Sequence, residues 1–398
     1  MRAIGIGFLL WVSSSLAFGQ RLTVLPVPDG YFSPTARYIS RNGAVVVGSV
    51  RDRYNEYAVY WHNGRIAFVP NFVSGSAASA AKTVGGISAD GSVIAVIGDP
   101  FGYLWNRTTG QFTELYPRNR SRQPQPRSIS ADGRTVVGSI IGNSASPAFR
   151  WKADEGLDIH RHFGYSAIVS ADGATLYGTL WESGYAISPA RATDLCGFET
   201  LAELGAPLGT VPVDVSDDDA YLLLRPSQGW SAAYLWLASA RTTYEILPPP
   251  NSNIFPTSVA QDGTVYGYVR LDASKQYRLL GFRWTIASGL KDLNEIYPCI
   301  IPDGYVLSTV DDVTPDNRYL VGLLRRISDN AQFAYLLDTR ACLPGDVDCS
   351  GCVDDADLLI VLFNFGATGR GLNADVNCDT IVDDADLLIV LFNFGAGC

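Results

Sequence analysis

The sequence of 398 residues is poor in the side chains that most often mark an active site. It has three histidines and a single methionine, Met1, so the mature chain offers no thioether ligand for a soft metal. The G-x-S-x-G elbow, the H-E-x-x-H zinc motif and the Walker phosphate loop are all missing. The composition, 47% hydrophobic and 18% charged, is that of a globular protein and excludes a disordered chain. A formal net charge of −10 argues against a nucleic acid or an anionic membrane as partner.

The charge is concentrated at the C-terminal end. From Gly345 to Cys398 the sequence has ten Asp, no Glu and one basic residue, Arg370. The rest of the chain is almost neutral, and the breaker Leu343-Pro-Gly345 separates the two parts. We therefore predict a main body, residues 20–343, and a small acidic module, residues 344–398.

The N-terminal segment predicts export. Arg2 is followed by an apolar stretch, Ile4 to Val12, and by the small-x-small sequence Ala17-Phe-Gly19. This is the pattern of a secretory signal peptide over residues 1–19, cleaved after Gly19, and the stretch is short for a membrane span. A buried first strand is the alternative. Since no later segment is long and apolar enough to span, we expect a secreted or cell-surface protein of the bacterial exported type.

Seven cysteines in an exported chain favour disulfides. Four of them lie in the acidic module and allow three pairings, among which the sequence does not choose. Three lie in the body, Cys196, Cys299 and Cys342, of which Cys299 and Cys342 flank the last repeat and are a candidate pair. The odd total leaves one thiol free or intermolecular. The Cys349-x-x-Cys352 spacing does not recur, which disfavours a zinc site.

The body contains seven copies of one short pattern. Its clearest copies are Ile87-Ser-Ala-Asp-Gly91, Ile129-Ser-Ala-Asp-Gly133 and Val169-Ser-Ala-Asp-Gly173, each followed by an apolar run. Looser copies place Gly43, Asp219, Gly263 and Asn317 at the position of that glycine, and successive copies are 40 to 54 residues apart. Asp-Gly between apolar runs is a hairpin signal in which both central residues adopt positive φ. A regular repeat of this length predicts a repeat architecture.

Each repeat reads as four short strands. The turn precedes a strand that is apolar on both faces, such as Val45-Val-Val47, and an aromatic strand such as Ala148-Phe-Arg-Trp151 follows. A second turn then leads to a fourth strand. Four strands per repeat, without helical periodicity, predict an all-β, seven-bladed β-propeller, with a stacked β-solenoid as the rival fold.

The last repeat lacks a fourth strand, and an unassigned strand, Leu22 to Val27, precedes the first repeat. We therefore expect the N-terminal strand to complete blade seven and to close the ring, which removes the open sheet edges. The repeats resemble the HAF-type extracellular repeats of bacterial exported proteins, with their I-S-x-D-G-x-x-V-V-G core and A-F-x-W strand. That resemblance covers roughly residues 22–342 and implies a propeller but no catalytic residues.

The acidic module is an internal duplication of a loop and an apolar helix. The loops carry oxygen ligands at the positions of an EF-hand calcium loop, with Asp in place of Glu at position 12. The predicted ligands of the first loop are Asp346, Asp348, Ser350, the Cys352 carbonyl, Asp354 and Asp357. Those of the second are Asp375, Asn377, Asp379, the Ile381 carbonyl, Asp383 and Asp386. We expect two calcium ions, with the weaker site in the second loop, where Thr380 replaces the glycine of position 6. A solvated acidic surface is the alternative.

Loop, single helix, spacer, loop, single helix resembles a type I dockerin, the module that anchors cellulosomal proteins to cohesins. The resemblance covers residues 345–397 and implies calcium binding and a cohesin-like or cell-surface protein as partner. Positions 10 and 11 of the loops, Asp355-Ala356 and Asp384-Ala385, depart from the hydroxyl or small pair of the family at the place where the partner is chosen.

The function expected from these patterns is a non-catalytic propeller that binds or displays, tethered by a calcium-loaded module. Its ligand would be a carbohydrate or a protein on the propeller face. The alternative is a polysaccharide-degrading enzyme, a glycoside hydrolase or cellulosome-like component, using carboxylates such as Glu182 or Asp214. The sequence pairs neither of them with a second carboxylate. His160 and His162 are expected in a surface turn.

Overall fold

The computed structural model describes residues 20–74, 77–115, 123–141, 147–160, 167–181, 187–193, 197–273, 276–340 and 342–398. It divides into two compact units, Leu22–Thr339 and a unit that contains Arg340–Cys398. The predicted signal peptide, Cys196, Glu182 and His162 lie outside the described residues. Among the helices that the structure describes, none is long and apolar enough to cross a lipid bilayer.

The first unit is a seven-bladed β-propeller, as predicted. Within the described residues, seven antiparallel sheets follow one another along the chain, and the first strand of each lines a central channel. From the inner to the outer strand, the first three blades are β2 Phe32–Ile39, β3 Val45–Arg51, β4 Glu56–His62 and β5 Arg65–Phe68; β7 Ala77–Ile87, β8 Val93–Asp99, β9 Tyr103–Asn106 and β10 Phe112–Glu114; and β11 Gln123–Ile129, β12 Thr135–Ile141, β13 Ala148–Lys152 and β14 Gly156–His160.

The next three blades are β15 Ile168–Val169, β16 Leu176–Trp181, β17 Ile187–Ala192 and β18 Phe198–Thr200; β19 Thr210–Val215, β20 Tyr221–Pro226, β21 Ala233–Leu237 and β22 Thr242–Ile246; and β23 Ser252–Val259, β24 Val265–Ala273, β25 Gln276–Thr285 and β26 Gly289–Asp292. Blade seven is β28 Asp312–Val313, β29 Tyr319–Arg326, β30 Gln332–Asp338 and β1 Arg21–Val24. Two strands add to the predicted pattern: β6 Phe72–Ser74 extends blade two, and β27 Tyr305–Leu307 pairs with β29 beside β28. A 3-10 turn, Leu201–Leu204, and a short helix, α1 Leu293–Ile296, lie between strands.

The N-terminal strand closes the ring, as predicted. β1 is the outermost strand of blade seven, next to β30, and the Leu25 amide continues the pairing by donating to the Ala334 carbonyl at 2.9 Å. Leu25 is buried between blades, and the indole of Trp61 in blade one donates to the Pro26 carbonyl at 2.7 Å. Blade seven therefore combines both ends of this unit in one sheet.

The repeated Ser-x-Asp-Gly segment forms the turn between the first and second strands of a blade. In blade three the Ser130 hydroxyl donates to Asp132 at 2.6 Å and accepts from the Thr135 amide at 2.9 Å, while Asp132 accepts from the Arg134 amide. Gly133 has φ +73°, whereas Asp132 is not in the left-handed region. The expectation of positive φ at both residues was therefore wrong, because the serine and aspartate side chains hold the turn and only its last position needs that conformation.

The second strand of a blade is buried on both faces, as its apolar sequence predicts. In β3 every residue from Val45 to Val50 is buried between neighbouring sheets. A side chain at Gly48 would overlap the Thr35 carbonyl oxygen of the adjacent inner strand. The glycine that ends the Val-Val-Gly pattern therefore allows the two strands to approach.

The second unit contains two helices of identical sequence, α2 Asp355–Phe363 and α3 Asp384–Phe392. Val361 and Val390 are buried where the helices pack within this unit. Disulfides join Cys342 to Cys349 and Cys352 to Cys398. The suggested Cys299–Cys342 pair is wrong, because Cys342 lies only seven residues from Cys349, and their Cα atoms are 5.3 Å apart.

Candidate metal centre and central channel

The first loop of the C-terminal unit brings three carboxylates together. Ligand oxygens of Asp346, Asp348 and Asp357 all lie within 4.8 Å of one another. Asp346 and Asp357 are buried, at 2% and 0% exposure, while Asp348 is exposed. Buried like charges at this separation repel strongly unless a cation or protons neutralise them. The cluster could therefore hold a metal ion.

Asp346 is the member of the cluster whose oxygens are not all satisfied. Its Oδ2 accepts from the Gly351 amide at 2.9 Å, but its buried Oδ1 has no hydrogen-bond partner among the described residues. Burial, together with the neighbouring charges of Asp357 and Asp348, raises the pKa of Asp346. An orphaned carboxylate oxygen beside two other carboxylates is the donor set that a hard cation needs.

Asp357 is held in place by the start of helix α2. Its Oδ2 accepts from the Asp354 amide at 2.9 Å, and the Asp354 side chain caps the helix by accepting from the Ala356 amide. Its Oδ1 accepts from the Val347 and Asp348 amides, at 2.6 and 3.1 Å. This capping box orients the carboxylate toward the loop without a metal.

The other predicted ligands of this loop lie on the same turn but outside the three-carboxylate cluster. The Ser350 hydroxyl donates to the Cys352 carbonyl at 3.0 Å, so these two oxygens contact each other. Asp354 serves as the helix cap. The structure thus brings three of the six predicted ligands together and places Ser350, Cys352 and Asp354 beside them.

The second loop repeats the geometry with a weaker donor set. Asp386 accepts from the Val376, Asn377 and Asp383 amides, as Asp357 does in the first loop. Both oxygens of Asp375, however, accept backbone hydrogen bonds, from the Asp379 and Thr380 amides. Burial raises the pKa of Asp375 too.

The remaining predicted ligands of the second loop are less suited to a cation than their counterparts. Asn377 replaces a carboxylate, and its amide donates to Asp379 at 2.9 Å. The backbone of Ile381 forms an isolated bridge with Thr368, and Asp383 caps helix α3. Thr380 has φ +77°, a conformation that Gly351 adopts in the first loop without a side-chain penalty.

The propeller contains a second group of functional side chains, around its central channel. The inner strands of all seven blades line a cavity of about 380 Å³. At one end Arg41 of blade one and Asp217 of blade five, both in the Ser-x-Asp-Gly turns, form an ion pair at 2.6 Å. This pair links opposite sides of the ring at the turn end of the channel.

Two carboxyl groups meet across a hydroxyl in this channel. The Ser258 hydroxyl is 2.9 Å from Asp214 Oδ2 and 3.1 Å from Asp312 Oδ1. Asp214 also accepts from the Val259 amide, and Asp312 from the Ile39 and Val313 amides. Since a hydroxyl has one proton, Ser258 can donate to only one of the two carboxyls at a time.

Burial raises the pKa of Asp214 to about 6 and, together with the charge of Asp214, that of Asp312 to about 7. Burial also raises the pKa of Asp311 to about 6, although the Thr309 hydroxyl donates to it at 2.9 Å. Asp312, with the higher pKa, is therefore the candidate proton donor of the pair, and Asp214 the candidate acceptor.

Asp214 was a candidate from the sequence, whereas Asp312 was not. Asp214, Ser258 and Asp312 each lie two residues before the turn serine or its equivalent, Ser216, Ala260 and Thr314. Aligning the degenerate repeats would have placed all three at one level of the channel. The backbone of His160 ends β14, the outer strand of blade three, where it pairs with Ala148; the surface turn expected there was wrong at His160.

No protein-family model and no curated protein matches this chain. Solved structures are similar to it in fold. An oligogalacturonate lyase from Vibrio parahaemolyticus has 13% identity, a TM-score of 0.53 and coverage of 80% of this chain and 93% of its own. An oligogalacturonate lyase in complex with manganese has 12% identity, a TM-score of 0.51 and coverage of 81% and 94%. The β-propeller domain of the Trilobed protease from Pyrococcus furiosus, described as having an open velcro topology, has 13% identity, a TM-score of 0.54 and coverage of 79% and 95%. At these identities the likeness establishes the propeller fold alone.

Proposed function

We propose that this chain is an exported binding protein: a HAF-type propeller that binds a ligand, tethered by a dockerin-like C-terminal module that holds two calcium ions. The observation that carries the module's role is the buried, unpartnered Oδ1 of Asp346 within 4.8 Å of two further carboxylates. Calcium supplies the positive charge that this site lacks and would be coordinated by its carboxylate oxygens. The two disulfides are compatible with an oxidising compartment outside the cell.

The proposed tethering surface is the exposed side of the two helices. Phe363 of α2 and Phe392 of α3 are 84% and 82% exposed, and the leucines beside them are about half exposed. Large apolar side chains in matching positions of both helices favour a protein partner, a cohesin-like or cell-surface protein, over solvent. Calcium would act on this surface indirectly, because position 12 of each loop is also the third residue of its helix.

Calorimetry with single-loop variants tests the calcium sites. Protein that has been stripped of metal with a chelator should take up two calcium ions. The Asp346→Ala and Asp375→Ala variants should each take up one. Asp355→Ala is the matched control, since it removes the same charge from an exposed position of α2 outside the cluster. Uptake that falls equally in the control and in Asp346→Ala would refute the assignment of the site.

A capture experiment tests the tethering. The immobilised full chain should retain a protein of the host's envelope fraction with calcium and release it with chelator. Loss of capture in the Phe363→Ser, Phe392→Ser double variant, with calcium uptake intact, would assign the surface. Capture that is indifferent to both chelator and variant would contradict it.

A second candidate function is polysaccharide degradation, which the Asp214–Ser258–Asp312 arrangement favours. The two carboxyl oxygens are at most about 6 Å apart, comparable with the separation of acid and nucleophile in retaining glycosidases. Release of reducing sugar from plant or microbial glycans, abolished by Asp312→Asn, would establish this function in place of non-catalytic binding. Absence of hydrolysis over a broad glycan panel would leave the binding role.

A further inference from the structure

We infer that the end of the central channel away from the Arg41–Asp217 pair binds an acidic, hydroxyl-bearing ligand, such as a uronate unit of an oligosaccharide. Its carboxylate would lie on Arg37, Arg127 and Arg225. This inference rests on the proposed binding function of the propeller and specifies the chemistry of its ligand. It does not depend on the calcium module.

Three arginines from three different blades meet at this end of the channel. Arg37 on β2, Arg127 on β11 and Arg225 on β20 line one cavity of about 500 Å³, and none of the described residues that line it carries a carboxylate. Among the described residues, none of the three forms an ion pair within 4.0 Å. The charge of Arg37 acts on the carboxyl group of Asp311, which lies in the channel cavity. Burial and the charge of Arg127 lower the pKa of Arg225, so the cations oppose one another. An anion bound here would relieve this repulsion and accept hydrogen bonds from planar guanidinium groups.

The arginine cavity continues into the channel. The two cavities share Arg37, Tyr38 and Arg127 among their lining residues. A ligand bound at the arginines can therefore extend toward Asp214 and Asp312, which line the channel cavity.

Arg225 is held in place by an aromatic stack. Its guanidinium carbon lies 4.7 Å from the ring centre of Trp230, whose ring stacks on Phe255 at 4.5 Å. Phe255 in turn stacks on Tyr268 at 4.8 Å. With Arg225 on one side and Phe255 packed against it, Trp230 serves to position the arginine. A cation fixed in this way loses little conformational entropy when it binds an anion.

The carboxyl groups deeper in the channel favour hydroxyl groups of the ligand at their level and confine its negative charge to the arginine end. Asp214 and Asp312 share one hydroxyl donor, Ser258, so an added hydroxyl group from a ligand would find an acceptor. A second anionic group at this level would be repelled, also by Asp311. A sugar acid offers hydroxyl groups to the aspartates and a carboxylate to the arginines, whereas phosphate offers only an anion for the arginines.

Binding of trigalacturonate to the full chain tests the inference. Calorimetry at pH 7 and low salt should show one saturable site, weakened about ten- to hundredfold in Arg37→Gln and in Arg127→Gln, because each removes charge-assisted hydrogen bonds. Both arginines are exposed, so neither change should affect thermal unfolding. Arg65→Gln, an exposed arginine on the outer strand β5, is the matched control and should bind like the wild type.

Neutral galactotriose and inorganic phosphate separate the contribution of the ligand's hydroxyl groups from that of its negative charge. The inference predicts that both bind at least tenfold more weakly than trigalacturonate, and that Asp346→Ala binds trigalacturonate normally while losing a calcium ion. No binding, equal loss in Arg65→Gln and Arg127→Gln, or tighter binding of phosphate or galactotriose would each overturn it. Calcium uptake measured on the same samples reports separately on the tethering module.

Discussion

Replacing Asp312 by Asn should make the stability of the propeller less sensitive to pH. Burial and the nearby Asp214 raise the pKa of folded Asp312 to about 7 from an ordinary value of 3.8. Between these values the folded protein binds more protons than the unfolded chain. Asp312 therefore stabilises the fold less as the pH rises from 4 to 7, and the loss is complete above the folded pKa.

The expected magnitude follows from the size of this shift. One pKa unit corresponds to about 1.4 kcal/mol, so a shift from 3.8 to about 7 sets a ceiling of about 4 kcal/mol. Only the interval from pH 5 up to the folded pKa of about 7 falls within the range measured. We therefore expect Asp312→Asn to reduce the loss of stability between pH 5 and pH 8 by about 2–3 kcal/mol.

Urea unfolding followed by tryptophan fluorescence reports on the propeller, because seven of the eight tryptophans lie within residues 20–343 and none lies in the C-terminal module. Asp29→Asn is the matched control, since Asp29 is exposed, and its pH dependence should equal that of the wild type. A wild type that is as stable at pH 8 as at pH 5 would contradict this expectation. So would an Asp312→Asn variant that loses as much stability between pH 5 and pH 8 as the wild type does.

Three further predictions concern the fold. Leu25→Ala should destabilise the propeller by about 2–4 kcal/mol, because Leu25 is buried where β1 closes the ring; an unchanged urea midpoint would contradict closure by this strand. Gly48→Ala should be far more destabilising than Gly64→Ala, because only the former meets a carbonyl oxygen; thermal unfolding of the two variants compares them, and equal melting temperatures would be inconsistent with the close approach. Opening the Cys352–Cys398 disulfide with serine at both positions should destabilise the C-terminal unit by up to about 4 kcal/mol, since it closes 46 residues of chain; helical circular dichroism on heating monitors it, and an unchanged transition would count against this role.

The propeller could be predicted because each repeat is specified by residues that are close together in the sequence. The Ser-x-Asp-Gly turns and the doubly apolar second strands recur at a spacing that is typical of a four-stranded blade. Closure followed from counting, since blade seven lacked a strand and one strand was left over at the N-terminus. β6 and the division of the inner strand of blade seven into β27 and β28 could not be predicted, because neither has a counterpart in the other repeats.

The candidate sites were predictable to different degrees. The carboxylates of the C-terminal loops lie within 12 residues of one another, so spacing alone grouped Asp346, Asp348 and Asp357. Asp214 and Asp312 come from different blades and meet only through Ser258 of a third, which no local pattern reveals. The disulfides depend on which ends of the C-terminal unit approach each other, and the wrong Cys299–Cys342 pairing reflects the same absence of long-range information.

The number of calcium ions bound to the intact protein shows whether each copy of the duplicated loop holds a metal. The chain, with its disulfides formed, is exchanged into a volatile buffer that contains calcium. Native mass spectrometry should then show a species that carries two calcium ions and loses both when chelator is added. A protein that binds no calcium, or one ion only, would contradict the proposal that each copy of the duplicated loop holds a metal.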